Sequence, residues 1–257
     1  MSSNPNRDIY NTHYSDTNVR VDNIQNPFDK WMIDYRFSLI KKYGFKKDVL
    51  DLCCGSGSYL IPSLSTLKTA IGLDFSKSML DGFKVNLKNK SPDNLTLLEA
   101  DATQIPLKNG TVDFVYSYTA LYHVPNVEMA LSESGRVLRS RGYAVFELGN
   151  RDSLNTKICE VQHKEAGWAK PFHIPYQTMI QNIHDANLDI IDQRSFQLLN
   201  NYGAPNQLFY LYPLCAPIWK RLLGIQFRER MLDEWISSSR LLRTYAFRHF
   251  FVCKKRY

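Results

Sequence analysis

Short apolar runs recur along the first 150 residues: "DVLDL" (48–52), "TAIGLD" (69–74), "NLTLLEA" (94–100), "DFVYS" (113–117) and "YAVFEL" (143–148). Each has the length of a strand, and each is continuous rather than alternating, as strands covered on both faces should be. Helix-length segments such as "SKSMLDGFKVNLKNK" and "NVEMALSESGRVLRS" lie between most of them. Strands alternating with helices predict crossover connections and a parallel sheet. Upstream, "NPFDKWMIDYRFSLIKKYG" predicts a helix from Pro27, stopped by Gly44, with Trp31, Ile33 or Tyr35, Phe37 and Ile40 on its apolar side. Residues 1–26 are rich in Asn, Asp, Ser and Thr and predict an irregular arm that Tyr10, His13 and Tyr14 allow to dock.

After Leu148 the rhythm loosens. "GNRDSLNTKICEVQHKEAGWAKPFH" suits a loop or lid above the sheet, "IPYQTMIQNIHDANLDIIDQRSFQLL" predicts a helix and then a strand, and "YAFRHFFVCKK" predicts a last strand. Between the final two strands, residues 199–243 form an insertion too long and too apolar for a plain turn. It is expected to be partly helical, with Phe227, Met231 and Trp235 aligned at intervals of four. One domain is expected over residues 1–257: an arm and cap helix to 45, a core over 46–150, and further elements over 151–257.

At 257 residues and 44% apolar composition the chain can bury a full core. No window approaches 18 uninterrupted apolar residues and the first residues are polar, so a soluble, cytoplasmic protein without leader or spanning helix is expected. The five cysteines, Cys53, Cys54, Cys159, Cys215 and Cys253, lack C-x-x-C spacing, which argues against a disulfide framework and against zinc. Adjacent residues of a strand point to opposite faces, so Cys53 and Cys54 are poorly placed to chelate one ion, and no metal is expected. The net charge of +7 gathers late, at Lys220, Arg221, Arg228, Arg230, Arg240, Arg243, Arg248, Lys254, Lys255 and Arg256. Such a segment suits a phosphorylated acceptor, RNA or an anionic membrane surface, or else a cover helix with solvated charges.

In an open parallel sheet, ligands bind off the carboxyl ends of the strands, at the point where strand order reverses. The residues that end the predicted strands therefore matter most. "CCGSGS" follows a strand and precedes a helix, and Gly55 and Gly57 let backbone pass close to a ligand. A tight turn would read the same way, and Leu60 stands where a dinucleotide fingerprint has its third glycine. Asp74 ends the second strand where a carboxylate can accept two hydrogen bonds from ribose hydroxyls. Its other role is a helix cap, for which Ser76 serves equally well. Asp101, directly after the third strand, can accept from an exocyclic amine such as that of adenine, or merely close an Asx-turn.

Taken together, "VLDLCCGSGSYL", "AIGLDFSKSML", "LLEADATQIPLKNGTVDFVYSYTALYHV" and "GRVLRSRGYAVFEL" resemble class I S-adenosylmethionine-dependent methyltransferases over roughly residues 47–148. "LDLCCGSG" with "GLDFSKSML" is similar to the ubiquinone and menaquinone biosynthesis enzymes and the small-molecule methyltransferases around them. The resemblance implies a Rossmann-like, doubly wound α/β sheet of seven strands, mostly parallel, with an antiparallel last strand and a helical insertion before it. It implies S-adenosylmethionine as cofactor and assigns residues to it. Asp51 and the loop Cys53, Gly55, Ser56 and Gly57 would face the methionine moiety, Asp74 and Phe75 the ribose and adenine, with Met79 nearby. Asp101 and Ala102 would read the adenine amine, and Ser117 and Tyr118 would lie beside the sulfonium. Relatives usually carry glycine at Cys53, and Cys54 is expected to pack inward as a small hydrophobe.

The acceptor is less legible. His123 in "LYHVP" is the candidate base, or a histidine that holds its loop; Tyr14, Tyr122 and His173 are candidate acceptor contacts, and His163 lies in a segment able to close over the site. The chain reads Leu121-Tyr122-His123-Val124 where the quinone enzymes usually carry an Arg-Asn pair, which counts against a quinone. The N-P-P-Y signature of adenine and glutamine amino-methyltransferases is absent as well. Three readings stay open: methylation of a small molecule such as a saccharide or natural-product intermediate, methylation of tRNA through the basic C-terminal segment, or a non-catalytic nucleoside-binding regulator on the same fold.

Overall fold

The computed structural model describes residues 5–12, 27–88, 90–153, 155–198 and 224–257. Tyr14, His13 and the apolar part of the insertion with Cys215, Lys220 and Arg221 lie outside them. The strands are β1 (Asp48–Leu52), β2 (Thr69–Asp74), β3 (Leu95–Glu99), β4 (Val112–Ser117), β5 (Leu138–Gly149), β6 (Leu188–Phe196), a short hairpin β7 (Gln226–Phe227) and β8 (Arg230–Met231), and β9 (Arg248–Lys255). Seven of them form one sheet in the order β3-β2-β1-β4-β5-β9-β6. β1 to β5 pair in parallel, and β9 runs antiparallel to both neighbours. The α/β sheet with an antiparallel last strand is therefore as expected.

Apolar side chains cover both faces of this sheet. One face buries Leu50, Val115 and Phe146 beneath α5 (Val127–Val137) and α7 (Tyr176–Asp185), which contribute Ala130, Leu131, Met179 and Ile183. The other buries Val49, Phe114 and Phe250 beneath α2 (Pro27–Gly44), α3 (Leu60–Ser63) and α4 (Lys77–Asn86). β1 is buried throughout, whereas β3, at the edge, is only partly covered. Full burial of each large side chain stabilises by roughly 1.5–3 kcal/mol, so the central strands carry most of the cohesion.

Five local expectations need correction. The N-terminal arm contains a helix, α1 (Arg7–Thr12), and the presumed loop after β5 contains α6 (Thr156–Glu165). Phe227, Met231 and Trp235 do not share a helix face: they fall on β7, β8 and α8 (Leu232–Ser237), and only Met231 is buried. The helix predicted through Ser140 ends at Val137, because β5 starts at Leu138 to pair with β4. On α2 the buried face is Phe28, Met32, Tyr35, Arg36, Leu39 and Ile40, while Trp31, Ile33 and Phe37 are half-buried.

Arg36 is the exception on an apolar face. Its Nε and Nη2 donate to both carboxylate oxygens of Glu147 on β5, at 2.9–3.1 Å, and its Nη1 donates to the Tyr59 hydroxyl at 2.9 Å. Glu147 also accepts from the Thr119 backbone N–H at 3.1 Å. Both side chains are almost fully buried, so each charge depends on the other. Replacing one partner alone, as Arg36→Met or Glu147→Leu, is expected to cost about 3–5 kcal/mol in urea unfolding, and the double variant to recover a large part of it. Independent, additive losses would contradict a coupled pair.

Candidate functional site

The strand order reverses between β1, which leads to β2 and β3, and β4, which leads to β5. A crevice at the carboxyl ends is the natural ligand position in such a sheet. β1 delivers Asp51 to it, β2 delivers Asp74, and the turn after β3 delivers Asp101. The 53–57 loop lies between the first two. Cys53 stands in the left-handed region at φ 61°, which explains the glycine of relatives at this position: a side chain here is strained. Gly57 has φ 84°, and a Cβ there would stand 2.6 Å from the Phe83 ring. Cys54 packs inward and is buried, as expected of a small hydrophobe.

Within β1 the carboxylates meet opposite environments. Asp48, at the amino end, is raised by burial but lowered further by hydrogen bonds from Thr69, Arg139 and Lys68, so it titrates below its ordinary range. Asp51, three residues on, has no cation beside it among the described residues: burial pushes it up to about 8, and the Tyr116 hydroxyl donating at 3.0 Å offsets only part of that. Asp74 is likewise pushed up to about 6 by burial, against hydrogen bonds from the backbone of Ser76, Gly55 and Phe75. Its Oδ2 accepts from Gly55 N and its Oδ1 from Ser76 N, both at 2.9 Å, which leaves lone pairs on each oxygen. Asp101 Oδ1 takes the Asx-turn bonds from Thr103, while its Oδ2 accepts none among the described residues. Ser117 Oγ is buried at the end of β4 without a partner among them. Acceptors outnumber donors around the crevice.

α1 lies across this crevice. Asn6 is clamped by both ends of its amide: Nδ2 donates to the carbonyls of Lys170 and His123, and Oδ1 accepts from Lys170 N. Ser76 Oγ donates to Asn11 Oδ1 and Ser78 Oγ to the Tyr10 carbonyl, while the Tyr10 ring meets Phe75 edge-on at 5.4 Å. Nothing in the sequence pattern marked Asn6. Its signal is only that a buried amide finds all its partners more than a hundred residues away.

On the other side of β4 the structure brings His123 and His173 together with Tyr122, as candidate acceptor contacts require, and adds two residues. His163 stands 5.7 Å from His123, and Arg248, at the start of β9, places its guanidinium 3.9 Å from the Tyr122 ring centroid and 4.3 Å from that of Phe247. Burial pushes His123 down to about 3 and His173 well below the ordinary histidine range, with Arg248 adding to both effects. Each is a neutral ring at neutral pH. Arg248 is 9% exposed and makes no ion pair among the described residues, although stacking on two rings returns only about 1–2 kcal/mol each against a desolvation penalty of several. The Tyr118 side chain lies instead in the α2-side core, stacked on Tyr116 at 5.1 Å. Among the described residues no three His, Cys, Asp or Glu side chains gather as metal ligands, and no helix is long and apolar enough to cross a membrane.

Of the late cations, Arg230 pairs with Glu234 and Arg256 with Asp189, and Lys255 donates to the Leu138 carbonyl. Part of the basic C-terminal segment is thus consumed within the fold.

Residues 50–146 match the family described as "Methyltransferase domain". A demethylmenaquinone methyltransferase of Lactococcus lactis subsp. lactis is 36% identical over 100 residues, which are 38% of this chain and 40% of the relative. The chain thus spans less than half the length of the curated relative it matches. Among solved structures, an S-adenosylmethionine dependent methyltransferase from Mesorhizobium loti superposes with a TM-score of 0.59 at 16% identity, covering 86% of this chain and 96% of that one. The 4+2 cyclase SpnF superposes with a TM-score of 0.56 at 12% identity, covering 87% and 81%. Residues 50–146 are thus similar to methyltransferase domains, and the sheet is the Rossmann-like fold of these solved structures.

The raised carboxylates set a pH dependence. An unfolded Asp titrates near 3.9, so between that value and the folded values of about 8 for Asp51 and about 6 for Asp74 the folded state holds the extra protons. Stability contributed by these two groups is therefore full below about pH 4 and is lost as pH rises through 6 and 8. The ligand-free chain is expected to lose urea resistance between pH 5.5 and about 8.5, and Asp51→Asn to flatten that slope. A slope unchanged in Asp51→Asn would show that Asp51 ionises normally.

Proposed function

We propose that this chain transfers a methyl group from S-adenosylmethionine to a small-molecule acceptor. The observation that carries the reading is the row of under-satisfied carboxylates, Asp51, Asp74 and Asp101, around a loop whose backbone leaves no room for a Cβ at Gly57. The residues fit that cofactor. Asp74 keeps lone pairs for two ribose hydroxyls, Asp101 Oδ2 for the adenine amine, and buried Asp51 gains from an ammonium group, which supplies the cation it lacks. Cys53, Gly55 and Ser56 would pass along the methionine moiety, with Phe75, Met79 and Ala102 around adenine and Ser117 at the sulfur end, while the Tyr118 side chain stays in the core on the α2 side. When bound, the cofactor supplies an activated methyl whose carbon–sulfur electron pair returns to sulfur as the acceptor's new bond forms.

The chain's own task is to hold the acceptor in line, exclude water and deal with a proton where one must leave. His123 is unsuited to that last role. A ring titrating near 3 takes a proton from an alcohol poorly, since a general base works best with a value near the operating pH. We therefore assign His123 to the wall of the acceptor pocket, with Tyr122 and His173, and expect acceptors that need no strong base. The relatives' quinone substrate is a property of those enzymes, and the match to the family ends at residue 146, before the acceptor-side elements. We favour a polar acceptor, a saccharide or natural-product intermediate whose nucleophile is an amine, an activated carbon or an acidic oxygen rather than a plain alcohol, supported by the polar groups interleaved with rings around Arg248.

Calorimetry with S-adenosylhomocysteine is expected to show one site per chain, weakened about tenfold or more by Asp101→Ala with the fold intact. Absence of binding to the wild type would remove the proposal. With an acceptor found by library screening, His123→Ala is expected to cost less than about tenfold in kcat; a loss of about 100-fold or more would restore it as the base.

A further inference from the structure

We propose that Arg248, framed by Tyr122, Phe247 and His173, is a subsite for an anionic oxygen group of the acceptor, a carboxylate, phosphate or acidic enol or phenol. This inference rests on the methyltransferase reading for the identity of its ligand as the acceptor, but the anion site itself stands on the geometry around Arg248.

The site is built by three parts of the chain. β9 pairs with β5 so that Arg248 lies opposite Gly149, two residues beyond Glu147. The loop after β4 brings the Tyr122 ring to one side of the guanidinium, and Phe247 covers another. The segment before α7 brings His173, whose ring is 7% exposed and meets both Tyr122, at 5.7 Å, and Phe247, at 5.2 Å. A Cβ placed on Gly149 would stand 2.2 Å from His173 Cδ2, 2.7 Å from its Nε2 and 2.9 Å from Arg248 Nη1, so both groups pack closely over the bare backbone of Gly149 and lie side by side.

What this space lacks is an acceptor. Arg248 Nη1 and both ring nitrogens of His173 are buried and have no hydrogen-bond partner among the described residues. A guanidinium is always charged, and stacked rings satisfy its faces but none of its N–H donors, which lie in its plane. The neighbouring carboxylate, Glu147, already accepts from Arg36 on both oxygens and from Thr119. The histidines are neutral, so the positive charge is not shared or cancelled, and the ring N–H of His173 is a second donor for the same ligand. The site lies on the β4–β5–β9 side of the sheet, across β4 from the carboxylates. An acceptor anchored here through its acidic oxygen extends back toward the end of β4.

The test titrates the full chain, with and without S-adenosylhomocysteine, with benzoate, phenyl phosphate and neutral benzyl alcohol by calorimetry. We expect saturable binding of at least one anion, no binding of benzyl alcohol, and a loss of about tenfold or more in Arg248→Gln with S-adenosylhomocysteine affinity unchanged. Which anion binds separates a carboxylate from a phosphate site. Should Arg248→Gln fail to fold, the Arg248 side-chain resonance of the 15N-arginine-labelled wild type reports directly: it shifts on addition of the bound anion. No anion binding, or equal binding by Arg248→Gln, overturns the proposal. Anion binding that depends on Arg248 without any S-adenosylhomocysteine binding would keep the subsite and overturn the cofactor reading.

Discussion

The buried pair Arg36–Glu147 holds the active edge of this sheet together. Glu147 lies near the carboxyl end of β5, and Arg36 comes from the middle of α2, more than a hundred residues earlier. Their bidentate contact fixes the cap helix over the edge at which ligands enter. The same carboxylate holds the N–H of Thr119, a non-glycine residue at φ 55°, and the same guanidinium holds the Tyr59 hydroxyl beside the glycine loop. One ion pair thus orients the loop after β4, the loop after β1 and the helix above both. With every oxygen of Glu147 engaged, it leaves Arg248 in the next strand without a counter-charge.

The contrast between the two cations organises the site. Arg36 lies within 3.1 Å of its carboxylate and is a structural element; Arg248 is also buried, though less deeply, and among the described residues it meets rings and no carboxylate. The same contrast divides the acids, where Asp48 at the amino end of β1 is neutralised by Lys68 and Arg139 while Asp51 at its carboxyl end is not. Leaving Asp51 and Arg248 single at the carboxyl edge, beside the paired Arg36 and Glu147, stores electrostatic cost at that edge. A zwitterionic cofactor with an anionic acceptor would settle both deficits, the cation against Asp51 and the anion against Arg248.

The cofactor half was legible in the sequence because its determinants are local. The glycines, the strand-ending Asp74 and Asp101 after β3 all sit within a few residues of the strand that positions them, so spacing along the chain equals position in the crevice. Even Cys53 obeyed this rule, since the backbone there is left-handed whatever side chain occupies it. The other half was not legible for the converse reason. Asn6, Arg36 and Arg248 act through partners far away in sequence, and an arginine on a helix or in a basic tail looks solvated until the partner strand is known. The helix α1 shows no regular stripe because it spans only Arg7–Thr12, has no buried residue and is held to the start of α4 through Ser76 and Ser78.

His123 shows how burial can invert a role that position alone suggests. Its place after β4, facing the site, is that of a base, and its ordinary pKa would suit one. Yet Tyr10 and Tyr122 enclose the ring, Asn6 holds its carbonyl, and Arg248 and His163 repel its proton. A site so arranged has little means of taking a proton from an alcohol, but it needs none if the acceptor arrives already acidic. Burial is the main influence that keeps this ring neutral, His163 the next, and Arg248 adds to both. The same guanidinium would hold an acidic acceptor in its deprotonated form, so a pocket without a base suits an acceptor that needs none.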